Sequence, residues 1–324
     1  MSKAIRVEAF GGPEQMQWLD VELAEPGAGE ARVRHTAVGL NFIDTYHRSG
    51  LYPLDLPTGL GTEAAGVVES VGPGVTRLAP GDRVAWLGLP PGAYAEARNY
   101  PAERLVTLPE GIDEQTAAAS LLKGLTAWYL LHRSYPVKPG DWVLLYAAAG
   151  GVGQIAAQWG RSLGARMIGV VGNDEKARIA RERGCEAVVL SNAQNFVGEV
   201  RDLTGGEGVA GVYDSVGRDT FFQSLDCLRA HGTMVSYGNA TGPVDPFSPM
   251  ELAKRGSLFL TRPAVFDFIR TREELESATG ELFAAILSGA FEVKVNQTYP
   301  LSEAARAHRD LEGRRTTGST LLLP

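Results

Sequence analysis

The run Trp142-Val-Leu-Leu-Tyr146-Ala-Ala-Ala-Gly150-Gly151-Val152-Gly153 decides how this chain folds. Five successive apolar residues read as a strand buried on both faces, and the small residues after them turn the backbone tightly into a helical stretch, Gln154 to Leu163. Gly164 stands where a helix C-cap glycine belongs, and Arg166 to Val171 is a second apolar strand. Strand, glycine loop, helix and strand make a complete βαβ unit. In such a unit the small residues let the backbone approach a pyrophosphate, whose charge the helix N-terminus favours. A tight strand–helix turn also needs glycine, so the flanking elements carry the nucleotide reading as much as the loop does.

The tip of the second strand chooses the nucleotide. A site for NAD usually places Asp or Glu there, about 20 residues beyond the loop, to hold the ribose 2′-hydroxyl. This strand ends Gly169-Val170-Val171-Gly172-Asn173 without a carboxylate at its tip, and Lys176 just beyond suits a 2′-phosphate. Asp174 and Glu175 are its acidic neighbours. NADPH is the cofactor expected.

Outward from this unit the alternation continues. Ala187–Leu190, Val209–Asp214, Thr233–Tyr237 and Ser257–Leu260 read as strands, with Phe196–Leu203 and Phe221–Leu228 as helices between them. That is a doubly wound parallel sheet. Upstream, residues 1 to about 110 read as short strands broken by turns such as Gly11-Gly12-Pro13, Gly72-Pro73-Gly74 and Pro80-Gly81-Asp82, a compact β-rich domain. A helix is expected from Glu114 to His132. After the last sheet strand come a helix (Arg272 to Leu287), a strand (Phe291–Tyr299), a helix (Ser302–Leu311) and a final strand (Ser319–Leu323).

Composition narrows the function classes. The chain has 324 residues, 44% hydrophobic and 21% charged, which suits about two globular domains of roughly 100–200 residues each. The 31 basic against 38 acidic side chains, net −7, give no electrostatic footprint for nucleic acid. No apolar run reaches the ~18 residues of a membrane span, and the N-terminus lacks the apolar core of a signal peptide, so a cytoplasmic protein is expected. Two cysteines, Cys185 and Cys227, are too few for a disulfide framework or a structural zinc site. The five histidines are scattered without ligand or triad spacing; His47, beside Tyr46, is the one worth considering as a proton donor. No Gly-x-Ser-x-Gly elbow supports a triad through Ser120 and Asp214.

The whole chain resembles the zinc-independent quinone oxidoreductases of the medium-chain dehydrogenase/reductase superfamily, the zeta-crystallin relatives. The motifs that carry the resemblance are Asn41-Phe-Ile-Asp-Thr-Tyr46-His-Arg-Ser-Gly-Leu-Tyr52-Pro, Gly61-Thr-Glu-Ala-Ala-Gly-Val-Val, Ala147 to Gly153, Tyr213-Asp-Ser-Val-Gly-Arg-Asp219 and Gly256-Ser-Leu-Phe-Leu-Thr-Arg-Pro263. It implies a GroES-like β-rich catalytic domain, residues 1–123 and 265–324, around an NADP-binding Rossmann domain, residues 124–264. It also implies metal-free hydride transfer from NADPH to a quinone bound in the interdomain cleft, by a homodimer paired through the strand near Ser257–Leu260. Where zinc dehydrogenases of the superfamily carry Cys, His and Cys ligands, this chain has Asn41, Thr62 and Leu122, so no metal is expected.

Carried over residue by residue, the family pattern makes Gly150, Gly151, Val152 and Gly153 the pyrophosphate loop, with Gly172 at the next strand tip. Lys176 and Arg314 become the cations on the 2′-phosphate. Ser191 falls where close relatives have a tyrosine over the adenosine, and a serine cannot stack in that way. Val216, Tyr237, Gly238 and Asn239 line the sheet edge by the cofactor, while Thr126, Leu260, Thr261 and Arg262 match its nicotinamide half. Asn41, Tyr46 and Tyr52 line the reaction cleft, Asn41 and Tyr46 touching the cofactor as well. Two tyrosines and an amide offer a stacking slot and hydrogen-bond donors for a quinone without a metal. Taken alone, Asn41 reads as a turn or cap and the tyrosines as β-domain packing. Alternatives are an NADPH-dependent enal or enone reductase, a nucleotide-liganded RNA-binding protein, and a slow NADPH sensor.

Overall fold

The computed structural model describes residues 2–324. In chain order the elements are β1 (Ser2–Val7), β2 (Gln17–Val21), β3 (Glu30–Leu40), α1 (Phe42–Ser49), β4 (Thr58–Gly59), β5 (Glu63–Val71), β6 (Arg83–Leu87), β7 (Ala97–Pro101), β8 (Val106–Thr107) and α2 (Glu114–Tyr129). The βαβ region follows as β9 (Trp142–Tyr146), α3 (Gly151–Ser162), β10 (Arg166–Val171), α4 (Asp174–Glu182), β11 (Ala187–Leu190), α5 (Phe196–Leu203), β12 (Val209–Asp214), α6 (Phe221–Asp226), β13 (Leu228–Ser236), α7 (Met250–Lys254) and β14 (Phe259–Thr261). The return is α8 (Arg272–Leu287), β15 (Val295–Pro300), α9 (Ala304–Glu312) and β16 (Ser319–Leu323).

Two compact units result. The first holds the chain as far as Lys123, with Ile269–Leu287 and Val293–Pro324; the second holds Gly124–Phe268 and Ser288–Glu292. These limits differ from a border at 264/265. Phe268 stacks on Tyr129 at 4.9 Å and Phe291 packs on Trp159 at 5.1 Å, which ties both phenylalanines to the second unit. The same contact explains why the strand expected from Phe291 begins only at Val295.

In the first unit β3 is the organiser. It pairs antiparallel with β5, β7 and β16, so the C-terminal strand lies beside residues 38–40. Its core gathers Ile5, Leu60, Trp86 and Tyr94 beneath the sheet, with Leu301 and Leu322 from the return. The sequence reading of this region had strands and turns alone; it missed α1. That helix starts at Asn41, whose backbone N–H donates to the Asp44 carboxylate at 2.9 Å, and stops at Gly50, left-handed at φ 81°.

The second unit is a six-stranded parallel sheet in the order β11-β10-β9-β12-β13-β14. Every residue of β12 and all but Trp142 of β9 are buried, as strands covered on both faces must be. The order reverses between β9 and β12, so the loop leaving β9 opens at the topological switch point, where ligands of such sheets bind. Gly164 takes the left-handed conformation after α3. β14 begins two residues later than expected, because Ser257 is itself left-handed at φ 56° and cannot start a strand. The long helix from Glu114 ends regularly at Tyr129 and widens into a π-helical turn to Ser134, where the Tyr213 hydroxyl lies 3.0 Å from the carbonyls of Leu130 and Tyr135. No helix among the described residues is long and apolar enough to cross a membrane.

Candidate functional site

In the second unit the expected binding residues leave the carboxyl ends of successive strands. Ala147, after β9, is left-handed at φ 52°, and Gly150 N–H closes the turn on its carbonyl at 2.8 Å. Gly150 caps α3 without a side chain, and the first-turn N–H groups of a helix have no partner inside it. Gln154 donates from Nε2 to the Ala149 carbonyl at 2.9 Å, which pins the loop to the helix. At Gly153 a side chain is excluded: a Cβ there would overlap the Ala147 carbonyl oxygen and lie 2.7 Å from Ala148 Cα. Gly151, Val152 and Gly153 thus form a rigid set of backbone donors backed by a helix dipole, on a turn that the Gly150 N–H closes.

At the end of β10, Gly172 is exposed and an added Cβ would meet nothing within 4 Å. Asn173 accepts the Lys176 backbone N–H at 2.9 Å and so starts α4 with Lys176 in its first turn. Ser191 follows β11, exposed, its N–H on the Val171 carbonyl at 2.8 Å. After β12 the buried Asp214 carboxylate takes four donors: the N–H groups of Val216 (2.7 Å) and Gly217 (3.1 Å) and the hydroxyls of Thr220 (2.7 Å) and Ser224 (2.8 Å). Asp214 therefore fixes the Val216 loop. Gly238 fits because a Cβ would overlap the Ser215 carbonyl, which brings Tyr237, Gly238 and Asn239 against the same loop. Leu260 and Thr261 lie on the edge strand β14, with Arg262 just after it. Thr126 is buried on α2.

In the first unit Tyr46 sits on α1 rather than on a strand, 9% exposed, and meets the half-buried Tyr52 edge-on with ring centroids 5.1 Å apart. Arg314, in the left-handed region at φ 56°, follows α9. Asn41 is the N-cap residue of α1, in a capping box with Asp44, and its Nδ2 donates to Glu63 Oε1 at 2.7 Å. The Leu122 N–H donates to Glu63 Oε2 at 2.6 Å, and Lys123 Nζ lies 3.1 Å from Oε1. Thr62 donates to Asp44 at 3.2 Å. A second buried chain runs Arg48–His308–Tyr94–Asp44. Because the guanidinium only donates, His308 Nδ1 accepts from Arg48 at 2.9 Å, Nε2–H points to Tyr94 at 3.0 Å, and the Tyr94 hydroxyl donates to Asp44 at 2.9 Å. Burial pushes the Asp44 carboxyl up to about 7 against the pull of these donors.

Burial holds the His47 imidazole down at about 4, so it is neutral near pH 7, and Nδ1 has no hydrogen-bond partner. Sequence reasoning missed Asp44, Glu63 and Lys123. The Asn41-x-x-Asp44 spacing is a capping-box signal that would have revealed α1. Cys185 and Cys227 are free thiols, buried, each pushed up to about 12 by burial.

Comparison with known proteins matches residues 27–110 to the alcohol dehydrogenase GroES-like domain and residues 151–284 to the zinc-binding dehydrogenase family. A quinone oxidoreductase of Pseudomonas aeruginosa is 50% identical over all of both chains. A 2-haloacrylate reductase of a Burkholderia species is 47% identical over all of this chain and 99% of its own. The structure of Escherichia coli quinone oxidoreductase complexed with NADPH superposes with a TM-score of 0.97 at 48% identity, covering 99% of this chain and all of that one. A glycine loop at the switch point of a parallel sheet, a match to the GroES-like domain and full-length relatives half identical place this chain in the quinone oxidoreductase family of the medium-chain dehydrogenase/reductase superfamily.

Proposed function

We propose that the protein is an NADPH-dependent quinone reductase that works without a metal. The carrying observation is the donor set at the carboxyl end of the parallel sheet. Gly151, Val152 and Gly153 present backbone N–H groups, Gly172 leaves open space at the β10 tip, and Lys176 supplies a cation where an NAD site has a carboxylate. The residues fit the dinucleotide. Gly150, Gly151, Val152 and Gly153 hold the pyrophosphate, Lys176 and Arg314 the 2′-phosphate, and Val216 with Tyr237, Gly238 and Asn239 the sheet-edge side. Thr126, Leu260, Thr261 and Arg262 orient the nicotinamide half. Ser191 leaves the adenosine unstacked.

When bound, NADPH supplies the hydride. The side chains supply positioning: Tyr46 and Tyr52 stack the acceptor ring, and Asn41 and the tyrosine hydroxyls hydrogen-bond the oxygens on which charge develops. Metal-free chemistry is supported by what stands at Asn41, Thr62 and Leu122. Two of these side chains are spent on carboxylates, the third is apolar, and an ammonium already neutralises Glu63.

The test is anaerobic oxidation of NADPH and NADH with benzoquinone and naphthoquinones, zinc chelated. Quinone-dependent turnover with NADPH strongly preferred is expected. Lys176→Ala and Arg314→Ala should each weaken NADPH about tenfold to 100-fold, as loss of a charge-assisted bond does, and leave NADH unchanged. NADPH binding without turnover on any quinone would overturn the reading. The haloacrylate-reducing relative favours one second reading, reduction of an activated carbon–carbon double bond. An alkenal and 2-chloroacrylate in the same panel separate the two.

We further propose a cytoplasmic homodimer. β14 is the sheet's outer strand and carries Phe259 at 61% exposure beside Leu260, an apolar edge suited to pairing with a second copy. Sedimentation at micromolar concentration should give a dimer that Phe259→Lys dissociates; a monomer in the unsubstituted protein would sink the proposal.

A further inference from the structure

We propose that Lys123 and Glu63 are positioning residues that hold the Asn41 amide in one orientation. The inference rests on Asn41 being an acceptor-binding residue. Glu63 is wholly buried and the Lys123 side chain is 6% exposed, so this is an ion pair withdrawn from water. Such a pair is costly to bury and gives little net stability, which makes a functional reason for it worth seeking. Two segments remote in sequence from the start of β5 converge on the Glu63 carboxylate: the N-terminus of α1 through Asn41, and α2 through Leu122 N–H and Lys123. The backbone makes room for it. A side chain at Gly39 would overlap Glu63 Oε1 and come within 2.5 Å of the Ala118 carbonyl.

The chemistry of the amide does the rest. An ionised carboxylate accepts and cannot donate, so the Asn41 NH₂ must face it, and Oδ1 must face away. A protonated Glu63 would offer an O–H and bond either end of the amide. Asn41 could then turn over, exchanging acceptor for donor at the atom that meets the substrate. Buried carboxyls without a partner take up protons at pH values as high as about 8–9. Lys123 Nζ, 3.1 Å from Oε1, is the partner such a carboxyl would otherwise lack, and Glu63 in turn keeps Asn41 in register. The ionisable groups that feel Glu63 from the surrounding elements are Lys123 on α2, Asp44 on α1 and Tyr94 on the segment between β6 and β7.

The experiment compares Lys123→Met, Glu63→Gln and the charge-neutral pair of both, each also in an Asn41→Ala background. Single-turnover hydride transfer is followed from about pH 6 to 9, the range over which an unpartnered buried carboxyl titrates. Direct NADPH binding and a crystal structure of Lys123→Met complete it. Lys123→Met should slow hydride transfer about tenfold to 100-fold near neutral pH, recover as pH rises, and leave NADPH affinity within about threefold. Glu63→Gln and the neutral pair should be slow at every pH; the pair serves if Lys123→Met alone does not fold. In the Asn41→Ala background the further loss should vanish. The crystal structure should show the amide turned over or displaced from its place in the unsubstituted protein, its orientation read from its hydrogen-bond partners. An unchanged rate, a loss that persists without Asn41, or an amide with unchanged place and partners would overturn the proposal. If the unsubstituted protein reduces no acceptor, the functional reading falls instead, and the position of the amide in the variant alone decides.

Discussion

Gly153→Val is expected to cost NADPH about 100-fold or more in affinity. The first turn of α3 lies directly against the loop, so a Cβ at 153 meets the carbonyl of Ala147 and the backbone of Ala148, neither of which is a movable side chain. The loop must open or the helix must withdraw, and either change pulls the N–H groups of Gly151 and Val152 off the pyrophosphate. Losing two charge-assisted bonds of about 1.5 kcal/mol each corresponds to about 100-fold or more in affinity. Quenching of protein fluorescence by NADPH measures it. Gly172→Ala is the companion. Its Cβ enters open space, so the fold is unaffected and any loss of affinity reports that the nucleotide fills that space. Native affinity in Gly153→Val would remove the loop from the site.

Acid unfolds the first unit well before ordinary carboxylate titration would. His35, His47 and His308 all belong to it, and burial lowers the first two to about 4 and the last to about 3. Two are locked neutral by geometry. His35 Nδ1 lies 2.8 Å from the Ala95 carbonyl and Nε2 accepts from Trp86, while His308 Nδ1 accepts from Arg48. A folded pKa below the ordinary 6.5 means that the unfolded chain binds protons the folded chain refuses. The stability is therefore full above 6.5 and is lost as pH falls toward 4, by up to about 1.4 kcal/mol per pH unit for each histidine. Asp44 acts in the opposite sense. With its folded pKa raised to about 7, it favours the folded state at low pH and loses that contribution as pH rises through 7. The net expectation between about pH 4.5 and 6 is an uptake of about two protons on unfolding. Urea midpoints across that range measure the slope, and His308→Gln should reduce it by about one proton. A flat profile would contradict the burial of these imidazoles.

The second unit was legible in the sequence because its signals are local. Trp142–Tyr146 is apolar throughout, the glycines follow at once, and each later strand repeats the pattern, so the binding residues could be placed at strand ends. What stayed hidden depends on contacts between distant residues. Phe42, Ile43 and Tyr46 have strand-like side chains, and only the Asn41–Asp44 cap and Gly50 mark the segment as α1. Glu63 stands before the small and apolar run Ala64–Val68 and looks like an exposed strand end. Lys123 interrupts the apolar stretch Ala117–Leu125, which was the one hint that a charge is buried there. Neither residue points to the other across 60 positions. Ser257 and Phe291 read as strand residues because a left-handed φ and a contact with Trp159 have no composition signature.

The two thiols bear on how such an enzyme survives its substrate. Quinones are electrophiles, and the sulfur species that adds to them is the thiolate. With both thiols pushed up to about 12 and enclosed in the core, only about one in 10⁵ of either is ionised at neutral pH. The chain offers no other cysteine. A protein built in this way resists arylation by the compounds it reduces, and sequestration of sulfur gives it chemical durability that no residue of the site provides.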